Sequence, residues 1–301
     1  MRRICVLIAA ALVAGCSASR PEAPTASAAP PQPLAPVLVS DGPPPAVAAR
    51  AYSAIVVDVR NGKVLHEEAA TSLRYPASLT KMMTLYLLFE QLDAGRLTTG
   101  SALSISEEAA SRPPAKIGVK AGDVITVDSA ARALAVRSAN DVAVVIAENL
   151  AGSEEAFALA MTRKARALGM RQTTFVNASG LPDPRQVTTA RDMAILGKAL
   201  SDRFPRWFGY FSTPDFRYNG RKWRNTNRLL RKVEGMNGIK TGYIRASGYN
   251  LAASVRRRNK HIVAVVIGGR SGRTRNQRME TLIETYMPEA SGGGLLGVEL
   301  F

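Results

Sequence analysis

The sequence predicts an α+β fold in which strands from both ends of the folded body form one antiparallel sheet, with a largely helical lobe between them. A β-rich segment over 52–59 is followed by Asn-Gly at 61–62, a dipeptide typical of type I′ hairpins, and by a short strand over 63–66. Two more strand patterns, over 248–255 and 261–269, flank a basic turn. Four intervening segments have apolar patterns compatible with helices, namely 79–92, 127–150, 153–168 and 188–200.

One helix boundary is marked by capping residues. Ser153 is a good N-cap residue, and Glu154 and Glu155 would place negative charge at the positive end of the helix dipole. Gly169 follows the last apolar position, where a C-terminal glycine is common. We therefore expect a helix that begins just after Ser153.

Composition excludes several classes of protein. The chain has 301 residues and a net charge of +16, with basic clusters over 217–232 and 256–260. Neither cluster resembles a zinc finger, an RNP motif or a helix-turn-helix, so we expect solvated faces or attraction to an anionic cell envelope, and no nucleic acid. The body lacks cysteine, and His66 and His261 lie in strand contexts without a persuasive nucleophile. We therefore expect no metal, no cofactor and no Ser-His-Asp triad.

The first 16 residues resemble an export signal. Arg2 and Arg3 precede an apolar run of ten residues, which is too short to span a bilayer but suits a signal peptide. The run ends in Val-Ala-Gly-Cys16, which resembles the bacterial lipobox, in which the cysteine is lipidated. The alternative is an ordinary signal peptide with a chance cysteine. Ser17 after the cysteine favours the outer over the inner membrane, so we expect a periplasmic, lipid-anchored protein.

The predicted domain organisation follows from composition. Residues 17–50 are rich in Ala, Pro and Ser and cannot bury enough apolar surface to fold, so they predict an extended tether. Residues 51–288 form the predicted catalytic body, and 289–301 a short tail. Because the chain ends soon after its last predicted helix, we expect any membrane attachment to come from Cys16.

The first chemical motif is Ser78-x-x-Lys81, directly after Pro76. Proline is well placed to open a helix, and Ser78 then lies in the first turn, where free N–H groups favour a developing oxyanion. Lys81 shares a helix face with Ser78 and could act as its base if burial lowers the lysine pKa. Apolar residues on several faces of 79–92 predict a buried helix. The alternative is a snorkelling lysine beside a cap-like serine.

Two further motifs follow at spacings of about 60 and 100 residues. Ser138-Ala-Asn140 interrupts an apolar helical stretch, which suits a polar insertion into a cleft or, alternatively, a helix kink or cap. Lys240-Thr241-Gly242 has glycines nearby that permit close backbone approach on a strand edge, or a plain hairpin. Each motif is weak alone, but the ordered set is the pattern of penicillin-binding proteins and class A β-lactamases.

The motif wording resembles that of the low-molecular-weight D-alanyl-D-alanine carboxypeptidases, the S11 peptidases, over most of the body. The segments that carry the resemblance are Tyr75-Pro-Ala-Ser-Leu-Thr-Lys81-Met-Met-Thr84, Ser138-Ala-Asn-Asp-Val-Ala, Asn177-Ala-Ser-Gly-Leu181, Thr189-Ala-Arg-Asp-Met-Ala and Gly238-Ile-Lys-Thr-Gly-Tyr243. The resemblance implies a β-lactamase/DD-peptidase-like fold, peptidoglycan stem peptides as substrates and β-lactams as covalent inhibitors.

The resemblance also implies a role for each site residue. Ser78 would attack the carbonyl between two terminal D-alanines, and Lys81 would accept its proton. Ser138 would relay a proton to the leaving amine, and Asn140 would contact the substrate amide. The other implied roles are carboxylate binding by Lys240, which would also help to keep Lys81 neutral, substrate contacts by Thr241 and Gly242, and an oxyanion hole formed by the backbone N–H groups of Ser78 and Tyr243.

One position departs from the family pattern. Many relatives have Thr or Ser two residues after the Gly of Lys-Thr-Gly, where this chain has Ile244 followed by Arg245. The sequence alone therefore does not show which side chain, besides Lys240, would bind the substrate carboxylate.

Three other functions stay open. A DD-endopeptidase of the same fold would cut cross-links, and a wall-binding lipoprotein would not use the site. A class A β-lactamase is less favoured, because 170–190 lacks the expected Glu-containing loop.

Overall fold

The computed structural model describes residues 46–292 and contains one five-stranded antiparallel sheet, as the sequence predicts. The strands lie in the order β2-β1-β9-β8-β7, so the first and last strand pairs meet at the β1–β9 ladder. Their bounds are β1 Ser53–Asp58, β2 Val64–Glu68, β7 Met236–Ile244, β8 Gly248–Arg257 and β9 Lys260–Gly269. Two small hairpins lie outside this sheet, formed by β3 Ala102–Ser104 with β4 Val124–Thr126 and by β5 Asp215–Tyr218 with β6 Arg221–Arg224.

The first hairpin forms as predicted, but its turn differs. β1 and β2 pair antiparallel, and the N–H of Gly62 donates to the carbonyl of Asp58. A type I′ turn needs positive φ at both central residues, and at 61–62 only Gly62 has one, at 75°. The prediction of a type I′ turn at Asn61 was therefore wrong.

Seven α-helices occur in the described part of the chain, besides short 3-10 helices and one π-helical turn. Their bounds are α1 Lys81–Asp93, α2 Glu107–Ser111, α3 Val127–Arg132, α4 Asn140–Ala151, α5 Glu154–Ala167, α6 Ala190–Arg203 and α7 Gly272–Tyr286. The predicted cap at Ser153 is confirmed, since its hydroxyl accepts from the N–H of Ala156.

The predicted helix over 127–150 is not continuous. A π-helical turn, Ala133–Arg137, follows α3, and Ser138 then adopts a left-handed conformation with φ 64° and ψ 40°. The helical ladder breaks there, because the N–H of Asn140 donates to the carbonyl of Ala115 rather than to the preceding turn. The Ser-x-Asn motif therefore lies in a break between two helices.

The sheet is covered on both faces. Ile55, Val263 and Val265 pack in the large core that contains α1 and α6, whereas their strand neighbours pack in a smaller core with α7. Alternation along the strands thus separates two apolar layers. The predicted buried helix is α1, in which ten of thirteen residues are buried.

The predicted export signal 1–16 with Cys16, the tether as far as residue 45 and the end of the tail lie outside the described residues. Among the described residues, the tail side of α7 is tied to the sheet, since the N–H and hydroxyl of Ser291 donate to Asp58. No helix between residues 46 and 292 has the length and apolar character needed to cross a membrane.

An aromatic cluster fixes α1 against the following elements. Phe89 is fully buried and packs its ring against Phe204, Tyr210 and Phe211, with centroids 5.9–6.1 Å apart. We expect Phe89→Ala to lower the free energy of unfolding by about 3–5 kcal/mol, measured by urea denaturation, because it leaves a cavity that the neighbouring rings cannot fill. Phe89→Leu should cost less, and a loss below about 1 kcal/mol for the alanine variant would contradict this role.

Candidate active site

The predicted nucleophile lies on a short turn that leads into α1. Ser78 belongs to a 3-10 helix, Ala77–Thr80, which Pro76 precedes as predicted. Ala77 has a positive φ of 48°, an uncommon conformation for a residue with a Cβ. The turn therefore depends on the segments packed around it.

Two glycines let other backbones approach this turn. A Cβ added at Gly180 would lie 1.9 Å from the carbonyl oxygen of Ala77, and one at Gly242 would lie 3.1 Å from the backbone nitrogen of Ser78. Only glycine fits at position 180, whose φ is +83°. The loop 177–181 and strand β7 thus contact the nucleophile turn through main-chain atoms.

Asn250 holds the same turn from the sheet. Its fully buried side-chain amide donates to the carbonyls of Tyr75 and Pro76, each at 3.2 Å. Its own backbone carbonyl accepts from Nη1 of Arg275 at 2.6 Å. Asn250 therefore links the nucleophile turn to α7.

Lys81 is fully buried and its amine meets three acceptors. Nζ lies 3.3 Å from Oγ of Ser78 and 2.8 Å from Oδ1 of Asn140, and it also donates to the carbonyl of Ser179. A neutral amine has two N–H groups and one lone pair. The amide and carbonyl oxygens can take the two N–H groups, which leaves the lone pair for the hydroxyl proton of Ser78.

Burial favours the neutral form of Lys81. Desolvation lowers the pKa of Lys81 well below its ordinary value of 10.5, and the positive charge of Lys240 lowers it further. The carboxylates of Asp141 and Glu154 act in the opposite direction. Because the net direction is downward, Lys81 has the property that a base for Ser78 requires.

Lys240 is a second buried lysine, on β7. It is 1% exposed, and its Nζ donates to the carbonyl of Thr241 at 3.0 Å. Burial, followed by the charge of Arg275, lowers the pKa of Lys240 to about 7. Arg275, on α7, is 7% exposed, and burial followed by the charge of Arg228 lowers its pKa to about 10. Three cations therefore crowd the region beside β7.

The Ser-x-Asn motif contributes two residues in different ways. Ser138 lines the cleft with Ser78, and its buried hydroxyl has no hydrogen-bond partner among the described residues. Asn140 accepts from Lys81 through Oδ1 and donates through Nδ2 to the carbonyl of Pro113 at 3.0 Å. The observed bonds thus give Asn140 a positioning role toward Lys81, and its contact with a substrate amide stays a prediction.

Asp141, which follows the Ser-x-Asn motif, holds a neighbouring loop by hydrogen bonds. Its fully buried carboxylate accepts the N–H groups of Ile117, Gly118 and Val119 at 2.8–3.3 Å. These bonds hold the loop that brings Ala115 to the cleft.

The Lys-Thr-Gly segment lines the opposite wall. The hydroxyl of Thr241 donates to that of Thr226 at 2.8 Å, and both residues line the cleft. Tyr243 is half exposed, and its ring packs on that of Tyr249 with centroids 4.4 Å apart. The segment therefore presents backbone and hydroxyl groups beside Ser78.

Arg245 does not replace the hydroxyl group that is missing at Ile244. Arg245 is exposed, its carbonyl accepts from Nε of Arg50, and its side chain is not among those that line the cleft. The cleft instead contains Arg275. No signal in the sequence distinguishes Arg275 from the other arginines of α7, and only packing against Asn250 reveals it.

The residues meet in a cleft of about 880 Å³ that contains Ser78, Ser138, Thr241, Gly242 and Tyr243. Lys81, Asn140 and Lys240 lie behind its surface, all three buried. Within residues 46–292, no three histidine, cysteine or carboxylate side chains come together as a metal site requires.

The fold and the site together define an α+β protein with a serine–lysine pair, and comparison with known proteins gives the family. The model of the S11 peptidases, described as D-alanyl-D-alanine carboxypeptidase, matches residues 40–271. The chain therefore belongs to the S11 peptidase family.

Two curated relatives and one solved structure illustrate the similarity. The chain is 34% identical to D-alanyl-D-alanine carboxypeptidase DacF of Bacillus subtilis over 79% of its length, and 36% identical to DacC of Escherichia coli, also over 79%. It spans only 62% and 61% of those relatives, about three fifths of their length. Penicillin-binding protein 5 of Haemophilus influenzae superposes with a TM-score of 0.75 at 31% identity, covering 81% of this chain and 72% of that one. The predicted DD-peptidase-like fold is confirmed.

Two further matches bear on function. A D-alanyl-D-alanine endopeptidase of Pseudomonas aeruginosa is 31% identical over 66% of this chain and 65% of its own length. The structure of penicillin-binding protein D2 of Listeria monocytogenes in an ampicillin-bound form has a TM-score of 0.67 at 29% identity. The superposition covers 81% of this chain and 98% of the Listeria protein.

The opposing charges around Lys81 allow a test of its pKa. Lys240→Gln removes a positive neighbour and should raise the Lys81 pKa, whereas Glu154→Gln removes a negative neighbour and should lower it. NMR titration of ¹³Cε-labelled lysine measures both, and Lys198→Gln on the far side of α6 should leave the Lys81 titration unchanged. Shifts of the same sign in the two test variants would refute the electrostatic account.

The close approach at Gly180 gives a second prediction. Gly180→Ala and Gly152→Ala both place a side chain at a positive φ, of 83° and 81°, but a Cβ at position 152 meets nothing within 4 Å. Urea unfolding should therefore show a loss for Gly180→Ala that exceeds that for Gly152→Ala by at least about 2 kcal/mol, because only position 180 adds a clash. Equal losses would mean that the Ala77 turn moves freely.

Proposed function

We propose that the protein is a serine DD-carboxypeptidase that removes the terminal D-alanine from peptidoglycan stem pentapeptides through an acyl-enzyme on Ser78. One observation carries the proposal: the buried Lys81 amine lies 3.3 Å from Oγ of Ser78 while Asn140 and Ser179 take its N–H groups. This geometry points a lone pair at the nucleophile, which a base for serine must do.

In the acylation step, Ser78 Oγ forms a bond to the carbonyl carbon between the two D-alanines, and its proton passes to Nζ of Lys81. The backbone N–H groups of Ser78 and Tyr243 would stabilise the oxyanion. Support comes from the close approach of β7 to Ser78 at Gly242. Collapse of the oxyanion breaks the C–N bond. The proton held by Lys81 passes through the hydroxyl of Ser138 to the leaving amine, which returns Lys81 to its neutral form.

The terminal carboxylate of the substrate would bind beside β7. Lys240 supplies a buried positive charge, and Thr241 supplies a hydroxyl at the cleft surface. Arg275 takes the place of the hydroxyl that Ile244 lacks, since it lies in the same cleft. A carboxylate there would stabilise the charged form of Lys240, whose pKa is lowered to about 7 by burial and by the charge of Arg275.

In the deacylation step, water attacks the Ser78 ester and Lys81 accepts its proton. The Oγ–C bond breaks, the tetrapeptide carboxylate leaves and Ser78 regains its proton. β-Lactams would acylate Ser78 in the same way, and the ampicillin-bound form of the Listeria protein supports this.

Location and alternatives complete the proposal. We propose an envelope location in the periplasm, with a lipid on Cys16 as the anchor and the outer membrane favoured over the inner. The second candidate function is cleavage of cross-links, which the similarity to the Pseudomonas endopeptidase favours. A wall-binding lipoprotein without catalysis is the third, and the arrangement of Lys81 weighs against it.

The test incubates the full chain with a pentapeptide muropeptide and with a cross-linked dimer, and follows products by mass spectrometry. D-Alanine should leave the pentapeptide, and Ser78→Ala should slow this by at least about 10³-fold, because the covalent route is lost. Ampicillin should add its mass to the wild type and not to Ser78→Ala.

Other outcomes redirect the assignment. Cleavage of the dimer alone moves it to endopeptidase. If the protein is folded, as shown by cooperative unfolding, and neither substrate is cleaved in a Ser78-dependent way, both the carboxypeptidase and the endopeptidase proposals are rejected.

A further inference from the structure

The cleft is rich in positive charge. Among the described residues, five basic side chains line it and one carboxylate, that of Glu280. The basic residues are Arg137, Arg228, Lys232, Arg273 and Arg275. Among the described residues none of the five forms an ion pair with a carboxylate, although many other basic residues of the protein do. The cleft is therefore built for more than one negative charge.

Two of these cations lie on a firmly held turn. Arg228 opens the 3-10 helix Arg228–Arg231, and Lys232 follows it, with its N–H donating to the carbonyl of Leu229. Leu229 is fully buried against the core under α7. Asn227, 3% exposed, caps the turn and donates to the carbonyl of Gly238 on β7. The backbone that carries Arg228 and Lys232 is thus held relative to the Lys-Thr-Gly strand, and both side chains are exposed to solvent at the cleft.

The charges divide into two groups. Lys240 and Arg275 are both buried beside β7, and the proposed function uses them for the α-carboxylate of the leaving residue. Arg228 is close enough to Arg275 for its charge to lower the pKa of Arg275, so the second group adjoins the first. One carboxylate cannot neutralise both groups, and a substrate with a second carboxylate on the same residue could.

We propose that Arg228 and Lys232 form a second anion subsite, which binds a carboxylate on the side chain of the leaving D-residue. This inference rests on the proposed function, and it adds a substrate class: acyl-D-Ala-D-Xaa peptides in which Xaa is acidic. The subsite makes no covalent step of its own, and it acts by holding the leaving residue while Ser78 attacks.

The test compares three peptides, diacetyl-L-Lys-D-Ala followed by D-Ala, D-Glu or D-Gln. D-Glu and D-Gln have nearly the same shape, so their kcat/KM ratio reports the second carboxylate. We expect the wild type to favour D-Glu over D-Gln by about 5-fold, the upper range for an ion pair with solvent-exposed partners. Arg228→Gln and Lys232→Gln should each lower this ratio, and the double variant should bring it close to 1.

Arg231→Gln is the matched control, because Arg231 lies on the same 3-10 helix but does not line this cleft. It should keep the wild-type ratio. If the wild type hydrolyses the D-Ala peptide but cleaves the D-Glu and D-Gln peptides at equal rates, the proposed subsite is overturned. A preference for D-Glu that survives in a folded double variant also overturns it. Absence of Ser78-dependent hydrolysis of the D-Ala peptide instead overturns the proposed function itself.

Discussion

Burial of the Lys81 amine is the constraint on which the site depends. An ammonium group without water is costly, and a protein can avoid that cost by releasing the proton. The acceptors around Lys81 number two besides Ser78, so the neutral amine is fully satisfied. A third strong acceptor in place of the Ser78 hydroxyl would favour the charged form and remove the base. The apolar helix α1 therefore determines chemistry as well as stability.

Three chain segments meet at the turn that carries Ser78. Strand β7 approaches the backbone of Ser78 at Gly242, the loop 177–181 approaches Ala77 at Gly180, and Asn250 of β8 donates to the carbonyls of Tyr75 and Pro76. Because these contacts are made with backbone atoms, they fix the nucleophile without occupying the cleft. Side chains remain available for the substrate, chiefly Ser138 and Thr241. The left-handed conformation of Ser138 is the local cost of placing its hydroxyl there.

Sequence reasoning predicted what local patterns encode and missed what packing decides. The sheet, the Ser153 cap and the family follow from periodicity, capping and three motifs. At Ser138 the sequence left a helix kink or cap open beside a polar insertion, and it could not predict the tertiary bond from Asn140 to Ala115 that breaks the helix there. The β5–β6 hairpin was missed although Asn219-Gly220 has positive φ at both positions, the type I′ signal that had been assigned to 61–62. The dipeptide is the same at both places, so its conformation is decided by the surrounding structure rather than by the two residues themselves.

Positive charges in and behind the cleft affect one another in a series that begins at Arg228 and ends at Lys81. Burial is the main cause of the lowered pKa values of Arg275, Lys240 and Lys81. The charge of Arg228 further lowers the pKa of Arg275, that of Arg275 lowers the pKa of Lys240, and that of Lys240 lowers the pKa of Lys81. Each of these charges disfavours protonation of its inner neighbour, and the last of them favours the neutral form of Lys81. A carboxylate bound as proposed would favour the charged form of Lys240, and this charge would continue to disfavour protonation of Lys81. Binding of the substrate carboxylate and the neutral state of Lys81 would therefore be coupled through the charge of Lys240.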